Sequence, residues 1–179
     1  DDLAQASGRL PASPLAAALP RRDDLALLCA RHRCAIPAAA TGAVLGALAR
    51  GFDLVLVDVG HRLPPSGNPV LAQADVVLVA TTADLRGVAS GRRVVADLDA
   101  HGPPVRLVVR AGRSGSADPD EVARWLGVPL AARLPHDDKV GADGDRGDLV
   151  LRPSLRRASR AVLGAVAQVA GRAAAGVHA

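Results

Sequence analysis

Apolar residues fall along this chain in short runs separated by longer amphipathic stretches. Residues 25–30 (LALLCA) predict a strand, and 38–50 predict a helix with Ala43, Val44, Ala47 and Leu48 at helical spacing. Residues 52–58 (FDLVLVD) form a nearly unbroken branched-aliphatic run, the pattern of a strand buried on both faces. A further strand is expected over 75–81 (DVVLVAT), then a helix over about 84–100 with Leu85, Val88, Val95 and Leu98 on one side. Thr81 and Asp84 stand in the S/T-x-x-D spacing that can satisfy the first free amides of that helix. After the break at 101–104 (HGPP) comes a strand over 105–110 (VRLVVR). Asp118-Pro119-Asp120-Glu121 opens the next helix, which stops at Gly127. A short strand over 129–134 (PLAARL) and a long amphipathic helix over 153–175 follow, the latter with Leu155, Val162, Val166 and Val169 along its stripe. Residues 113–117 and 141–148, rich in Gly, Ser and Asp, read as flexible.

Five strands separated by helices, with no two-residue hairpin turn, predict an α/β fold: a mostly parallel sheet flanked by helices and joined by right-handed crossovers. No linker of the kind that separates domains interrupts it, so residues 1–179 read as one domain with its core at about 23–170. Composition sharpens this picture. The chain is 49% hydrophobic yet 1% aromatic, with Phe52 and Trp125 alone, so the core is built from Ala, Val and Leu. No run approaches the roughly 18–20 apolar residues a bilayer-spanning helix needs, and no signal-peptide pattern opens the chain. A cytoplasmic protein is expected, peripheral at a membrane or pole only through partners. The chain starts at Asp1 and has no Met, so an amino-terminally incomplete domain is expected. Net charge is +4, a basic excess that permits contact with nucleic acid or anionic lipid without demanding it. Cys29 and Cys34 bracket Arg31, His32 and Arg33 but lack zinc-site spacing and a second ligand pair, so two reduced thiols are expected, with Cys29 near the core.

The sharpest chemical feature is Asp58. Four aliphatics and then an acid place a carboxylate where a buried strand ends, the edge at which open α/β sheets bind ligands. Such a carboxylate can hold the water shell of Mg²⁺ opposite a nucleotide phosphate, and Gly60 lets the following loop turn sharply. An acid that merely caps the next loop fits the same pattern. Likewise, Pro135-His136-Asp137 is compatible with a plain Pro-initiated helix carrying an Asp in its first turn. His61 and His136 have no partner that spacing identifies and read as surface residues.

Taken in order, the segments FDLVLVDVG at 52–60, ADVVLVATTADLRGVASGRRVVADL at 74–98, VRLVVRAG at 105–112, LGVPLAARLPHDDKVGADGDRG at 126–147 and the helix SLRRASRAVLGAVA resemble the MinD/ParA/CpaE family of deviant P-loop ATPases. The resemblance covers about residues 53–167. The upstream DDLAQASGRLPASPLAAALPRRDDLALLCA is similar to the actinobacterial CpaE-like, septum-site-determining (Ssd-like) branch, associated with Flp/Tad pilus or secretion loci and with septum placement. The resemblance implies the P-loop NTPase fold with its amino-terminal strand and phosphate loop missing, and ATP with Mg²⁺ as the intact family's cofactors. It implies Asp58 as the metal-side acid, and Gly60, Arg110, Pro135 and Asp137 as nucleotide-side residues. It further implies a homodimer in the intact parent and protein partners in the division or pilus-secretion machinery.

The chain also departs from that family. The loop K-G-G-x-G-K-S/T occurs nowhere, and Lys139 is the one lysine. Arg110 stands where the base-contact strand usually ends in Asn, and a guanidinium cannot supply an amide's donor–acceptor pair. Val59-Gly60 follows Asp58 in place of the usual Ser/Thr-Pro. ATP turnover by this chain is therefore expected to be absent or very weak.

Arg152, Arg156 and Arg160 are four apart and are expected to share one helix face, with Arg157 beside them. As in the ParA branch, such a row allows weak non-specific DNA contact; a solvated helix face is the plainer reading. The end of the chain, 170–179, is Ala/Gly-rich without the bulky apolar face of a MinD-type membrane anchor. The leading expectation is a MinD/CpaE-like positioning protein. One alternative is a receiver-type signalling domain, with Asp58 as phospho-acceptor and Thr81 or Thr82 as switch hydroxyl; Arg31-His32-Arg33 stands where its acid pair would be needed. The other is a ParA-type DNA-partition ATPase.

Overall fold

Of the aliphatic runs, three find parallel ladder partners. In the computed structural model, residues 3, 6–29, 37–60, 69–98, 102–112, 116–147 and 150–176 are described, the last five of these as backbone only. They fall into two compact units, Asp1–Ala74 and Asp75–Ala179.

In the second unit β3 (Val77–Thr82), β4 (Val105–Arg110) and β5 (Leu130–Leu134) form a parallel sheet in the order β3-β4-β5. Val77 lies opposite Val105 and Thr82 opposite Arg110, and Arg110 in turn lies opposite Leu134, with one register shift at Leu107/Val108. β4, the central strand, is the most buried: Leu107 and Val109 are fully enclosed, as is Val122 from the helix above. Central position and aliphatic content agree, because a parallel strand covered on both faces tolerates no polar side.

α3 (Leu85–Asp97) packs on β3 and beside α4 (Pro119–Leu126), which lies over β4 and β5; α6 (Pro153–Gly176) packs on β5. The expected apolar side of α3 is partly corrected. Leu98 is buried, but Leu85 is 86% exposed, and the face turned inward carries Gly87 and Gly91. A Cβ at Gly87 would stand 2.3 Å from the Thr82 carbonyl oxygen, and one at Gly91 3.2 Å from Leu126 Cδ1. At Gly87 the helix comes so close to β3 that hydrogen is the only side chain with room, while at Gly91 the Leu126 side chain would have to give way slightly.

The α4 expectations hold in detail. Asp118 Oδ1 accepts from the Asp120 amide at 2.8 Å, Glu121 reaches back to the Asp118 amide, Pro119 occupies the first turn, and Gly127 closes the helix at φ 66°. The α6 stripe also holds, with Val169 and Ala158 buried and Leu155, Val162 and Val166 half-buried. Residues 141–147, expected to be flexible, instead belong largely to a short helix, α5 (Lys139–Asp145), whose buried position is Asp143.

The first unit contains α1 (Ala12–Ala18), an antiparallel pair β1 (Arg21–Arg22) and β2 (Leu25–Ala26), α2 (Ala38–Gly51) and a 3₁₀ turn at Leu71–Gln73. Leu15 and Leu19 pack with Ala47 and Leu48 of α2, and Leu10, Val44, Phe52 and Val55 close around them. Burying each leucine is worth about 1.5–3 kcal/mol. The expected strand over 25–30 shrinks to two residues of a tight hairpin, turned by Asp23-Asp24 with Asp23 at φ 53°, so the expectation of no two-residue hairpin also fails. An acid tolerates left-handed backbone better than most residues, which the aliphatic pattern did not weigh. Cys29 is exposed rather than near the core; Cys34 lies outside the described residues.

The largest correction concerns 52–58. The segment has no ladder partner among the described residues, and Leu54, Leu56 and Val57 are 55%, 83% and 39% exposed. An aliphatic run favours an extended backbone buried on two faces, but a strand also needs a neighbour whose amides and carbonyls are free to pair. Phe52 and Val55 reach the α1–α2 cluster. Among the described residues the sheet therefore has three parallel strands where five were expected.

Candidate functional site

Because β3, β4 and β5 are parallel, their carboxyl ends share one edge, where open α/β sheets present ligand-binding loops. Thr82, Arg110 and Leu134 end there side by side. The loops leaving them are stitched by backbone hydrogen bonds: Ala83 donates to the Arg110 carbonyl at 3.0 Å, Ala111 to Leu134 at 2.8 Å, and Ala117 to Ala83 at 3.0 Å. Arg110 and Pro135 are thereby brought to neighbouring strand ends, with Arg110 exposed and Pro135 half-buried.

The β3–α3 turn is tightly built. Asp84 Oδ1 accepts from the Gly87 amide at 2.8 Å and caps α3, while the Thr81 hydroxyl donates to the Gly87 carbonyl at 2.7 Å. The cap is thus Asp84 itself; Thr81, expected to share that task, instead braces the first turn from the sheet side. The Gly87 amide first, and the Thr82 hydroxyl second, hold the Asp84 carboxyl below its ordinary value. Both groups bond the charged form.

Asp137 is engaged on both oxygens. Oδ1 accepts from the Lys139 amide at 3.0 Å, and Oδ2 accepts from Arg152 at 3.1 Å. The second Arg152 nitrogen donates to Asp143 Oδ2 at 2.6 Å, and Arg146 donates to Asp143 Oδ1 at 2.7 Å. Asp143 is the buried charged residue among those described. Its hydrogen bond, with the charges of Asp137 and Asp143, raises the Arg152 guanidinium further above its already high value. Arg152 precedes α6 and is committed to this network, so it does not share a helix face with Arg156 and Arg160. Arg156 Nε turns back to the Leu151 carbonyl at 2.9 Å. Nothing in the residue pattern pointed to the Asp137–Arg152–Asp143 network: Asp143 sits in a Gly/Asp-rich stretch with no periodicity, and its partner is nine residues away. His136 lies at the surface with Nε2 2.8 Å from Asp138 Oδ1; His61 lies outside the described residues.

Asp58 and Gly60 belong to the first unit. Asp58 is exposed, and its Oδ1 accepts from the Gly60 amide at 2.8 Å, with Gly60 at φ 70°. That is the loop-capping role. Among the described residues, no group of three or more His, Cys, Asp or Glu side chains is arranged to hold a metal. No helix among them is long and apolar enough to cross a membrane.

Two solved structures share this architecture. The ParA-family ATPase from Chlorobium tepidum superposes with a TM-score of 0.59 at 18% identity, over 73% of this chain and 56% of its own. The MinC:MinD cell division protein complex of Aquifex aeolicus gives 0.56 at 16% identity, over 76% of this chain and 60% of the matched chain. The fold is MinD/ParA-like. No family model matches the sequence. The uncharacterized proteins MT3760 and Rv3660c of Mycobacterium tuberculosis are each 34% identical to it over 166 residues, or 91% of this chain. The chain spans 47% of the length of these curated relatives.

Proposed function

We propose that this chain is part of a MinD/CpaE-like spatial positioning protein, serving septum-site determination or the placement of a Flp/Tad pilus-secretion machine. The observation that carries the reading is the MinD/ParA-like sheet, whose strand ends gather Thr82, Arg110 and the Pro135–Asp137 loop at one edge. We take residues 1–179 as a single domain of the CpaE-like, Ssd-like branch, acting in the cytoplasm and reaching a pole or septum through protein partners. The intact parent would bind ATP and Mg²⁺ and act as a homodimer.

The residues of this chain fit a Mg²⁺–triphosphate poorly. Arg110 cannot supply the donor–acceptor pair that an adenine edge asks for, no phosphate loop with its lysines occurs in the sequence, both Asp137 oxygens are engaged, and Asp58 bonds its own loop. The Asp58, Gly60, Arg110, Pro135 and Asp137 set therefore acts here chiefly in shaping loops and in binding partners, with ATP turnover absent or very weak.

Time-lapse imaging of the full-length protein as a fluorescent fusion tests the positioning role. Accumulation at poles or septa is expected; an even distribution throughout growth and division would sink it. Titration of the 179-residue chain with a fluorescent ATP analogue and Mg²⁺ tests the second half, with no saturable binding expected. Tight Mg²⁺-dependent binding would refute the degenerate-site reading.

A further inference from the structure

α5 is a helix with little of its own to hold it. It spans 7 residues, two of them glycine, and the residue it buries is Asp143 rather than an aliphatic. Neither glycine is required by its surroundings: a Cβ at Gly141 or Gly144 would meet nothing within 4 Å, and neither backbone is left-handed. Glycine there only weakens the helix. Burying Asp143 brings a desolvation cost with no apolar gain, and among the described residues α5 packs extensively against no other element. Arg146 neutralises Asp143 from three residues along the same segment, is itself 62% exposed, and so anchors nothing. Arg152, at the entrance to α6 and 27% exposed, ties Asp143 of α5 to another part of the fold. The same guanidinium holds Asp137 in the loop leaving β5.

We propose that α5 and the loop before it form a strap fastened by Arg152, able to detach locally while the β3–β5 sheet stays folded. One cation bridges the half-buried Asp137 and the buried Asp143, so loss of its grip frees both ends of the strap together. Detachment uncovers Asp137 and Arg152 beside the carboxyl edge of β5, turning a closed rim into one that offers a carboxylate and a guanidinium. The inference stands on this geometry alone and does not depend on the positioning reading.

Hydrogen–deuterium exchange of the 179-residue chain, read by mass spectrometry, tests it. In Arg152→Gln, amides of 138–147 should exchange about tenfold faster or more, while those of β4 and β5 keep their wild-type rates. Arg152→Lys should fall between, since an ammonium cannot hold two carboxylates in a fixed fork. Arg146→Gln should change exchange less than either. Gly141→Ala with Gly144→Ala should slow exchange across α5 and partly offset Arg152→Gln. Unchanged exchange in 138–147, or acceleration spread equally over β4 and β5, overturns the strap. If Arg152→Gln does not fold, the same two criteria are applied to Arg152→Lys.

Discussion

Leu107 carries the centre of the sheet, and its surroundings are closed on every side. Leu107→Ala should cost about 2–5 kcal/mol, the transfer term plus an unfilled cavity. Urea unfolding would show this as a lower midpoint with the same slope; a loss below about 1 kcal/mol would mean the site collapses around the gap. Gly87→Ala probes the opposite limit. Its Cβ would press on the Thr82 carbonyl oxygen and Oγ1, both 2.3 Å away, so α3 must shift, at about 1–3 kcal/mol. An unchanged midpoint would show that the turn gives way freely. These residues differ in how plainly they could be read. Leu107 sits in a run whose composition announces burial. Gly87 looks like any glycine in a helical pattern, because nothing in the spacing says how near β3 will come.

Among elements, α4 was legible to its ends because capping is local chemistry: Asp118, Pro119, Glu121 and Gly127 act within one turn of their own positions. Residues 25–30 and 52–58 were not, because a strand is defined by a partner that the segment does not contain. Acids at the starts of α3 and α4 also set an acid response. Asp84 is held below the ordinary carboxylate value chiefly by the Gly87 amide, and Asp120 chiefly by Arg133, which pairs with it across α4 and β5. A depressed folded value means that stability is fully present above the ordinary pKa of about 4 and is lost as pH falls through the folded value. Stability should therefore be level near neutrality and decline below about pH 4. Asp84→Asn should start lower and decline less steeply. Equal acid slopes for the two proteins, from urea midpoints taken at stepped pH, would remove Asp84 from this account.

For the whole molecule, fold and activity are read from different parts of the chain. The resemblance over about residues 53–167 implied a MinD/ParA-like fold, and the superpositions bear out that fold. The expected arginine row did not survive as a unit, since Arg152 is turned inward and leaves Arg156, Arg157 and Arg160 on the exposed face of α6. With the row reduced to three arginines, a gel shift of the 179-residue chain on duplex DNA should show no complex at moderate salt. A complex that persists there and weakens steeply with added salt would favour a partition ATPase of the ParA type. Asp58 shows the same division between scales. Its place after four aliphatics was visible in the sequence, whereas its bond to the Gly60 amide belongs to the folded loop.

The sequence by itself determined what depends on near neighbours: the caps of α4, the aliphatic content of β3 and β4, the stripe of α6 and the alternation that makes the sheet parallel. Tertiary structure alone decided which strands pair, that α3 meets β3 through glycines, and that Arg152 joins Asp137 to Asp143. Side-chain periodicity and capping act over a turn or two of chain. Ladder pairing, close approach and ion-pair choice depend on segments brought together from distant positions, and no local pattern encodes which segment will arrive.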